Sequence, residues 1–263
     1  MHFNFKSYYL VLFILIAFVV LKYVLPYWKH LKIQQKAQSL YMHLDQSHLP
    51  WKVAGYSGQN HPIYLYETGQ GPDTVLIMGV FHGDEPVGAD LIVRLADTLS
   101  ANPSLIRNHA ILIPVVNPDG LLKGTRTNAN GVDINRNFPT DNWSPVYTKK
   151  HYFPGQEAGS EKETQLVMEW IARYHPDRIV SIHAALRMNN YDGPARELAE
   201  AMSKYNGYPV TSEVGYSTPG SLGTYAGREM HIPTITLELP DADPEEAWQQ
   251  NFKALLQAIN FDR

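Results

Sequence analysis

Residues 74–85 read TVLIMGVFHGDE. Thr74–Phe81 is almost wholly apolar, the pattern of a strand covered on both faces of a sheet. It ends abruptly at His82-Gly83-Asp84-Glu85. The next stretch is helical: Val87, Leu91, Leu95 and Leu99 fall on one face, and Pro86 suits a first turn. Working outward, Ile63–Glu67, His109–Val116, Arg178–Ile182 and Thr234–Leu239 read as further strands. Ser160-Glu161-Lys162-Glu163 reads as a capping box opening a helix that runs to Tyr174. Another helix is expected over 194–205. A last one starts at Asp243, with Pro244, Glu245 and Glu246 in its first turn. Strands alternating with helices predict an α/β fold, a mostly parallel mixed sheet with helices on both faces. Residues 117–159 are polar and rich in Asn, Gly and Pro, and a loop that long inside a compact domain is usually functional.

The chain has 263 residues, with 44% hydrophobic and 18% charged, an ordinary globular balance. Its net charge of −4 and the lack of a basic stripe argue against a nucleic-acid partner. There is no cysteine, which excludes disulfides, thiolate metal sites and a cysteine nucleophile. Any metal site must draw on the 11 His and 26 Asp and Glu, a donor set that suits zinc and several other first-row metals.

Tyr8–Leu25 is an 18-residue apolar run interrupted by Lys22, the lower end of what spans a bilayer. Tyr8, Tyr9, Tyr23, Tyr27 and Trp28 flank it as interfacial anchors do. No small-x-small cleavage site comes after it, as a signal peptide would require. The expectation is a single-pass anchor over 1–28 in a bacterial inner membrane, a juxtamembrane helix and connector over 29–50, and a catalytic domain over 51–263. Lys6 stands before the run and Lys22, Lys29, Lys32 and Lys36 within or after it, which favours a cytoplasmic domain by charge. A short N-terminal anchor often exports the domain behind it, so both orientations stay open, as does the oligomeric state.

His82, Asn117, His183 and Glu238 all sit at or near strand ends, where ligands collect in open α/β sheets. An H-x-x-E pair on a tight turn can chelate one metal, although alone the motif is weak. Glu238 lies in TITLELP between apolar neighbours. A carboxylate there must be paired, metal-linked or catalytic, because an isolated buried charge is costly. A three-ligand zinc site acidifies water, and a nearby carboxylate can then move the proton. In the polar loop, Arg126 suits an oxyanion, and Asn135 with Arg136 suits a substrate carboxylate. The bland alternative is that such arginines are solvated surface.

Taken together, HGDE (82–85), NPDG (117–120), GTR (124–126), GVDINRNFP (131–139), SIH (181–183) and TLEL (236–239) resemble the zinc carboxypeptidases of the carboxypeptidase A type. The resemblance runs from about Gly55 to the last strand. It implies one zinc ion on His82, Glu85 and His183, and Glu238 as general base and then acid. It also implies Arg126 polarising the scissile carbonyl, Asn135 and Arg136 binding a free carboxylate, and Tyr216 closing over the substrate. Digestive members carry an arginine where this chain has Asp84. RTNANGVDINRNFPTDNW, GSEKETQ and VGYSTPGSLGTY resemble most the members that cut the γ-D-glutamyl–diaminopimelate bond of cell-wall peptides. The implied substrate is then a muropeptide or small peptide, with Asp84 expected to favour the distal amine of diaminopimelate. A general metallocarboxypeptidase, a deacylase of the aspartoacylase or desuccinylase type, and a wall-binding module without catalysis are the alternatives. The GTR and NANGVDINRNFP segments and PGSLG speak against the deacylase.

Overall fold

A computed structural model describes residues 5–240 and 243–262, with side chains from Tyr9 onward. The N-terminal Lys6 and Tyr8 lie outside the described side chains. The strands are β1 (Lys52–Tyr56), β2 (Pro62–Thr68), β3 (Thr74–Gly79), β4 (His109–Ile113), β5 (Arg178–Ala184), β6 (Met188–Asp192), β7 (Val210–Thr211) and β8 (Thr234–Leu239). The helices are α1 (Phe5–Val19), α2 (Leu25–Met42), α3 (Val87–Ala101), α4 (Pro118–Lys123), α5 (Lys162–Tyr174), α6 (Arg196–Asn206) and α7 (Pro244–Ile259). One 8-stranded sheet runs in the order β1-β2-β4-β3-β5-β8-β6-β7. Its centre, β4-β3-β5-β8, is parallel, while β2 and β6 join that block antiparallel. The mixed, mostly parallel α/β sheet expected from the sequence is thus what forms.

The apolar run of β3 is continuous because both its faces are covered. Val75 and Ile77 pack with residues of α3, α6 and α7. Leu76 and Met78 pack on the other face with Val167, Trp170 and Ile171 of α5 and with Phe138 from the long loop. All four are 0% exposed, and truncating such a side chain to alanine typically costs about 2–5 kcal/mol. The chain leaves β3 through Val80, a β-branched residue held at φ 50°, in the left-handed region. That conformation costs on the order of 1–2 kcal/mol.

One local reading is corrected. Ser160 does not cap α5, whose N-cap is Glu161 with no side-chain cap bond. Glu163, fully buried, instead accepts from the Gly58 amide (2.8 Å) and Asn128 Nδ2 (3.0 Å), while Ser160 donates to Glu161. NPDG opens a helix: Asn117 caps the short α4, its Oδ1 accepting from Gly120 N at 2.9 Å. Asp243 does cap α7 as expected, accepting from Glu246 N. Strands β1, β6 and β7 were not anticipated.

α1 and α2 are joined by a π-helical turn, Val20–Val24, into one rod. Its 34 residues from Tyr9 to Met42 are long and apolar enough to cross a bilayer, and the apolar window has no buried residue. A signal sequence gives the same profile. The second half of α2 is packed against the domain: Ala37 and Tyr41 share a buried cluster with Val80, Ala89 and Leu121. Tyr41 donates to Pro62 O, and Lys36 pairs with Asp90 at 2.7 Å.

Candidate active site

The HGDE turn is held by close backbone contact. A Cβ on Gly83 would lie 1.9 Å from the carbonyl carbon of Gly120, so the glycine of HGDE allows that segment to touch NPDG. Asn117, fully buried, donates from Nδ2 to Phe81 O (3.1 Å) and Arg126 O (3.4 Å), fastening the strand exit to the GTR segment. From behind, Gln34 of α2 donates to Gly83 O (2.9 Å) and Leu121 O (2.7 Å).

On this frame His82, Glu85 and His183 converge, with ligand atoms all within 4.8 Å of one another. His82 Nδ1 lies 2.8 Å from Glu85 Oε1, and His183 Nδ1 lies 3.0 Å from Glu85 Oε2. The two Nδ1 atoms are 3.1 Å apart. His82 turns its other nitrogen, Nε2, to Asp133 Oδ1 at 3.1 Å. With that N–H donated, the Nδ1 lone pair faces the cluster, the arrangement that orients a metal-ligating histidine. Burial opposes a charge on His82, but Glu85 and Asp133 together outweigh it and raise its pKa to about 9. Burial likewise opposes ionisation of Glu85 and Asp133, yet His82 and the neighbouring cations hold both carboxyls well below the usual range. The site is therefore built to hold positive charge, and two imidazoles with one carboxylate match the three-protein-ligand donor set of catalytic zinc.

Glu238 stands beside this cluster because β5 and β8 pair in register, His183 against Glu238. It is 7% exposed, and its Oε2 is buried with no hydrogen-bond partner among the described residues. Burial pushes its carboxyl up; the histidines draw it back in part, and the Glu85 charge adds to the rise. Opposite, Arg126 donates from Nε to Asp133 Oδ2 (2.9 Å) and from Nη1 to Glu85 Oε1 (3.4 Å). Its guanidinium lies 5.2 Å over the Tyr152 ring, and that of Arg136 lies 5.7 Å from the same ring. Asn135 is set by its Oδ1, which accepts from Leu222 N at 2.9 Å. These groups enclose a cavity of about 300 Å³, with Tyr216, half exposed, at its edge.

The structure thus brings His82, Glu85, His183, Glu238, Arg126, Asn135, Arg136 and Tyr216 to one cavity. Asp84 is the exception. It does not line the cavity, and its Oδ1 is buried without a partner. Two residues escaped the sequence reading. Asp133 is fully buried and grips both His82 and Arg126; the available signal was an acid between Val132 and Ile134, both buried, in a polar loop. Tyr152, from a single 3-10 turn, gave no signal.

The profile of the peptidase M14 zinc carboxypeptidases matches residues 31–197 of this chain. The chain belongs to the zinc carboxypeptidase family. It is similar to murein peptide amidase A of Escherichia coli K12, 34% identical over 197 residues, covering 71% of this chain and 79% of that one. The Vibrio campbellii protein of the same name is 33% identical, covering 71% and 77%. Among solved structures, the murein-tripeptide amidase of Escherichia coli O157 superposes with a TM-score of 0.71 at 31% identity, over 83% of this chain and 95% of that one. Carboxypeptidase A of Helicoverpa armigera, 20% identical, shares the fold with a TM-score of 0.68, over 85% and 69%. The chain is accordingly a hydrolase of peptide bonds, and its family implies zinc. That sets aside the non-catalytic alternative.

Proposed function

We propose that this protein hydrolyses the γ-D-glutamyl–meso-diaminopimelate amide of murein peptides, in cell-wall remodelling or recycling. One zinc ion would be held by His82, Glu85 and His183. Residues 1–28 would anchor the enzyme in a bacterial inner membrane, with residues 29–50 leading into the catalytic domain over 51–263. The observation that carries the hydrolytic reading is the buried, unpartnered Glu238 Oε2 beside the three-ligand cluster. The substrate class comes from the relatives, whose names specify murein peptides.

When bound, zinc supplies Lewis acidity, enough to bring the pKa of water toward about 7. Glu238 takes the proton of the attacking water on Oε2 and passes it to the departing diaminopimelate nitrogen. Its burial favours the protonated form, which keeps it able to give the proton up. Arg126, fixed by Asp133, donates to the scissile carbonyl oxygen as that atom gains negative charge. Arg136 and Asn135 bind the carboxylate next to the scissile amide, a charge-assisted contact that sets the register of attack. Tyr216 closes over the bound peptide.

The test uses the full-length chain in detergent, loaded with zinc and incubated with L-Ala-γ-D-Glu-meso-diaminopimelate. Mass spectrometry should find free diaminopimelate with the wild type and none with Glu238→Gln, at equal zinc content. Bound zinc without release would refute the substrate. Equal release by Glu238→Gln would refute the role of Glu238.

A further inference from the structure

The cavity does not end at the metal cluster. Its floor runs along β6 and β8, where Met188, Asn190 and Asp192 pair with Glu238, Thr236 and Thr234. Asn190, Asp192 and Thr236 line it together with Glu238. Four residues of strand separate the Glu238 and Thr234 ends, roughly 13 Å of floor. Beyond Asp192 the space opens into a polar annex of about 410 Å³, which shares Asn190, Asp192, Tyr216 and Thr218 with the cavity and adds Arg228.

Asp192 is an unusual group to find there. It is 8% exposed, and its Oδ1 accepts from Arg228 Nε at 2.7 Å. Burial pushes its carboxyl up against the pull of that arginine. The π-helical segment Gly223–Glu229 wraps it, and such segments recur at functional sites. A Cβ on Gly223 would stand 2.1 Å from Asp192 Oδ2, and one on Gly227 would stand 2.6 Å from Asp192 Cβ. Two glycines four residues apart thus make room for one carboxylate. Arg228 is different: its side chain is 56% exposed, and Nη2 makes only a long contact to Ser212 O at 3.4 Å. The guanidinium therefore keeps donors free toward the annex.

We infer that Asp192 and Arg228 form a reader for a zwitterionic side-chain end, the ammonium going to Asp192 and the carboxylate to Arg228. An ion pair at the end of a polar channel complements a ligand carrying the same two charges in the opposite order. The inference rests on the amidase reading, because the leaving group there is an amino acid whose far end bears both an amine and a carboxylate. It assigns to Asp192 the amine contact that the sequence pattern suggested for Asp84, which does not line the cavity.

The experiment uses the full-length, zinc-loaded protein and three tripeptides, L-Ala-γ-D-Glu-X, with X being meso-diaminopimelate, L-lysine or L-norleucine. Lysine keeps the ammonium and lacks the carboxylate; norleucine lacks both. Arg228→Gln should lower kcat/KM for the diaminopimelate peptide by about 10- to 100-fold, the usual loss of one charge-assisted hydrogen bond. It should raise kcat/KM for the lysine peptide, because Asp192 is released from its partner. Arg228→Lys should restore most of the loss. Asp192→Asn should depress the diaminopimelate and lysine peptides more than norleucine. A purely structural ion pair predicts the same factor on all three peptides, and that result overturns the proposal. Zinc content measured in each variant reports retained folding. If the wild type releases no diaminopimelate, the amidase reading fails by itself, and calorimetry with the free amino acids still decides. Tighter binding of meso-diaminopimelate than of lysine or norleucine, erased in Arg228→Gln, upholds the reader; equal binding overturns it.

Discussion

Replacing Asp133 by asparagine separates metal affinity from folding. Asp133 is fully buried; its Oδ1 receives His82 Nε2 at 3.1 Å and its Oδ2 receives Arg126 Nε at 2.9 Å. It also caps its own loop by accepting from Asn135 N at 3.0 Å. Asparagine has the same shape, so its oxygen can still serve His82 and the Asn135 amide. Its amide nitrogen, however, then faces the Arg126 Nε donor, and the negative charge is gone. Loss of the carboxylate behind a ligating histidine typically costs 10- to 100-fold in metal affinity, about 1.4–2.7 kcal/mol. Arg126, no longer held on that side, should also lose alignment with the scissile carbonyl, a contact worth about 10²–10³ in kcat for a comparable donor. Competition against a chromophoric zinc chelator measures the first effect, and kcat at saturating zinc measures the second. Unchanged zinc affinity with unchanged kcat would show that His82 and Arg126 are oriented without Asp133 and would refute the account. A loss of zinc affinity alone would confine Asp133 to the metal.

Gln34→Ala leaves Gly83 O without its buried donor, while Leu121 O retains Gln38 at 2.9 Å. One stranded carbonyl costs about 1–3 kcal/mol, so the melting temperature should fall by roughly 2–10 °C and zinc affinity should fall with it. Gly83→Ala drives a Cβ to 1.9 Å from the Gly120 backbone, and zinc binding in equilibrium dialysis should be lost. Retained binding would mean that the HGDE and NPDG segments separate easily. In the metal-free protein His82 is raised from 6.5 to about 9. Its stabilisation is therefore full below pH 6.5 and disappears as pH rises through 9, so the melting temperature should decline across that window. Zinc, which takes the imidazole unprotonated, should abolish the decline and release a proton on binding; a flat metal-free profile contradicts this.

The central strand and its exit were legible because Val75, Leu76, Ile77 and Met78 are covered from both sides, so burial itself writes a continuous apolar run. His82, Glu85, His183 and Glu238 were legible because they break from that apolar pattern at strand ends. β6 was not legible, and the reason is its place at the cavity. MNNYD places Asn190 and Asp192 at the cavity, so polar residues stand where a strand pattern would ask for apolar ones. The Ser160 capping box failed because Glu163 has a stronger claim elsewhere, on the Gly58 amide and Asn128 deep in the fold. Asp133 was invisible for a related reason. What it touches is 51 residues away at His82, and no local spacing encodes that contact.

The long loop is fastened at two points. Asn128 is gripped by Glu161 and Glu163, and Asn137 donates to Pro154 O, Glu157 O and Ser160 Oγ. Between these two fixed points lie Asp133, Asn135 and Arg136, so the two cavity-lining residues, Asn135 and Arg136, hang from a span tied at both ends. The HGDE turn is tied from the opposite side by α2. Gln34 lies nine residues beyond Leu25, or about 14 Å along the rod at ~1.5 Å per residue. The rod is continuous from the apolar stretch to Met42. Cutting the chain at Leu44 removes Gln34, Ala37 and Tyr41, and with them the support of the HGDE turn. Cutting at Pro26 keeps it, so the two truncations should differ in zinc affinity although neither touches a ligand.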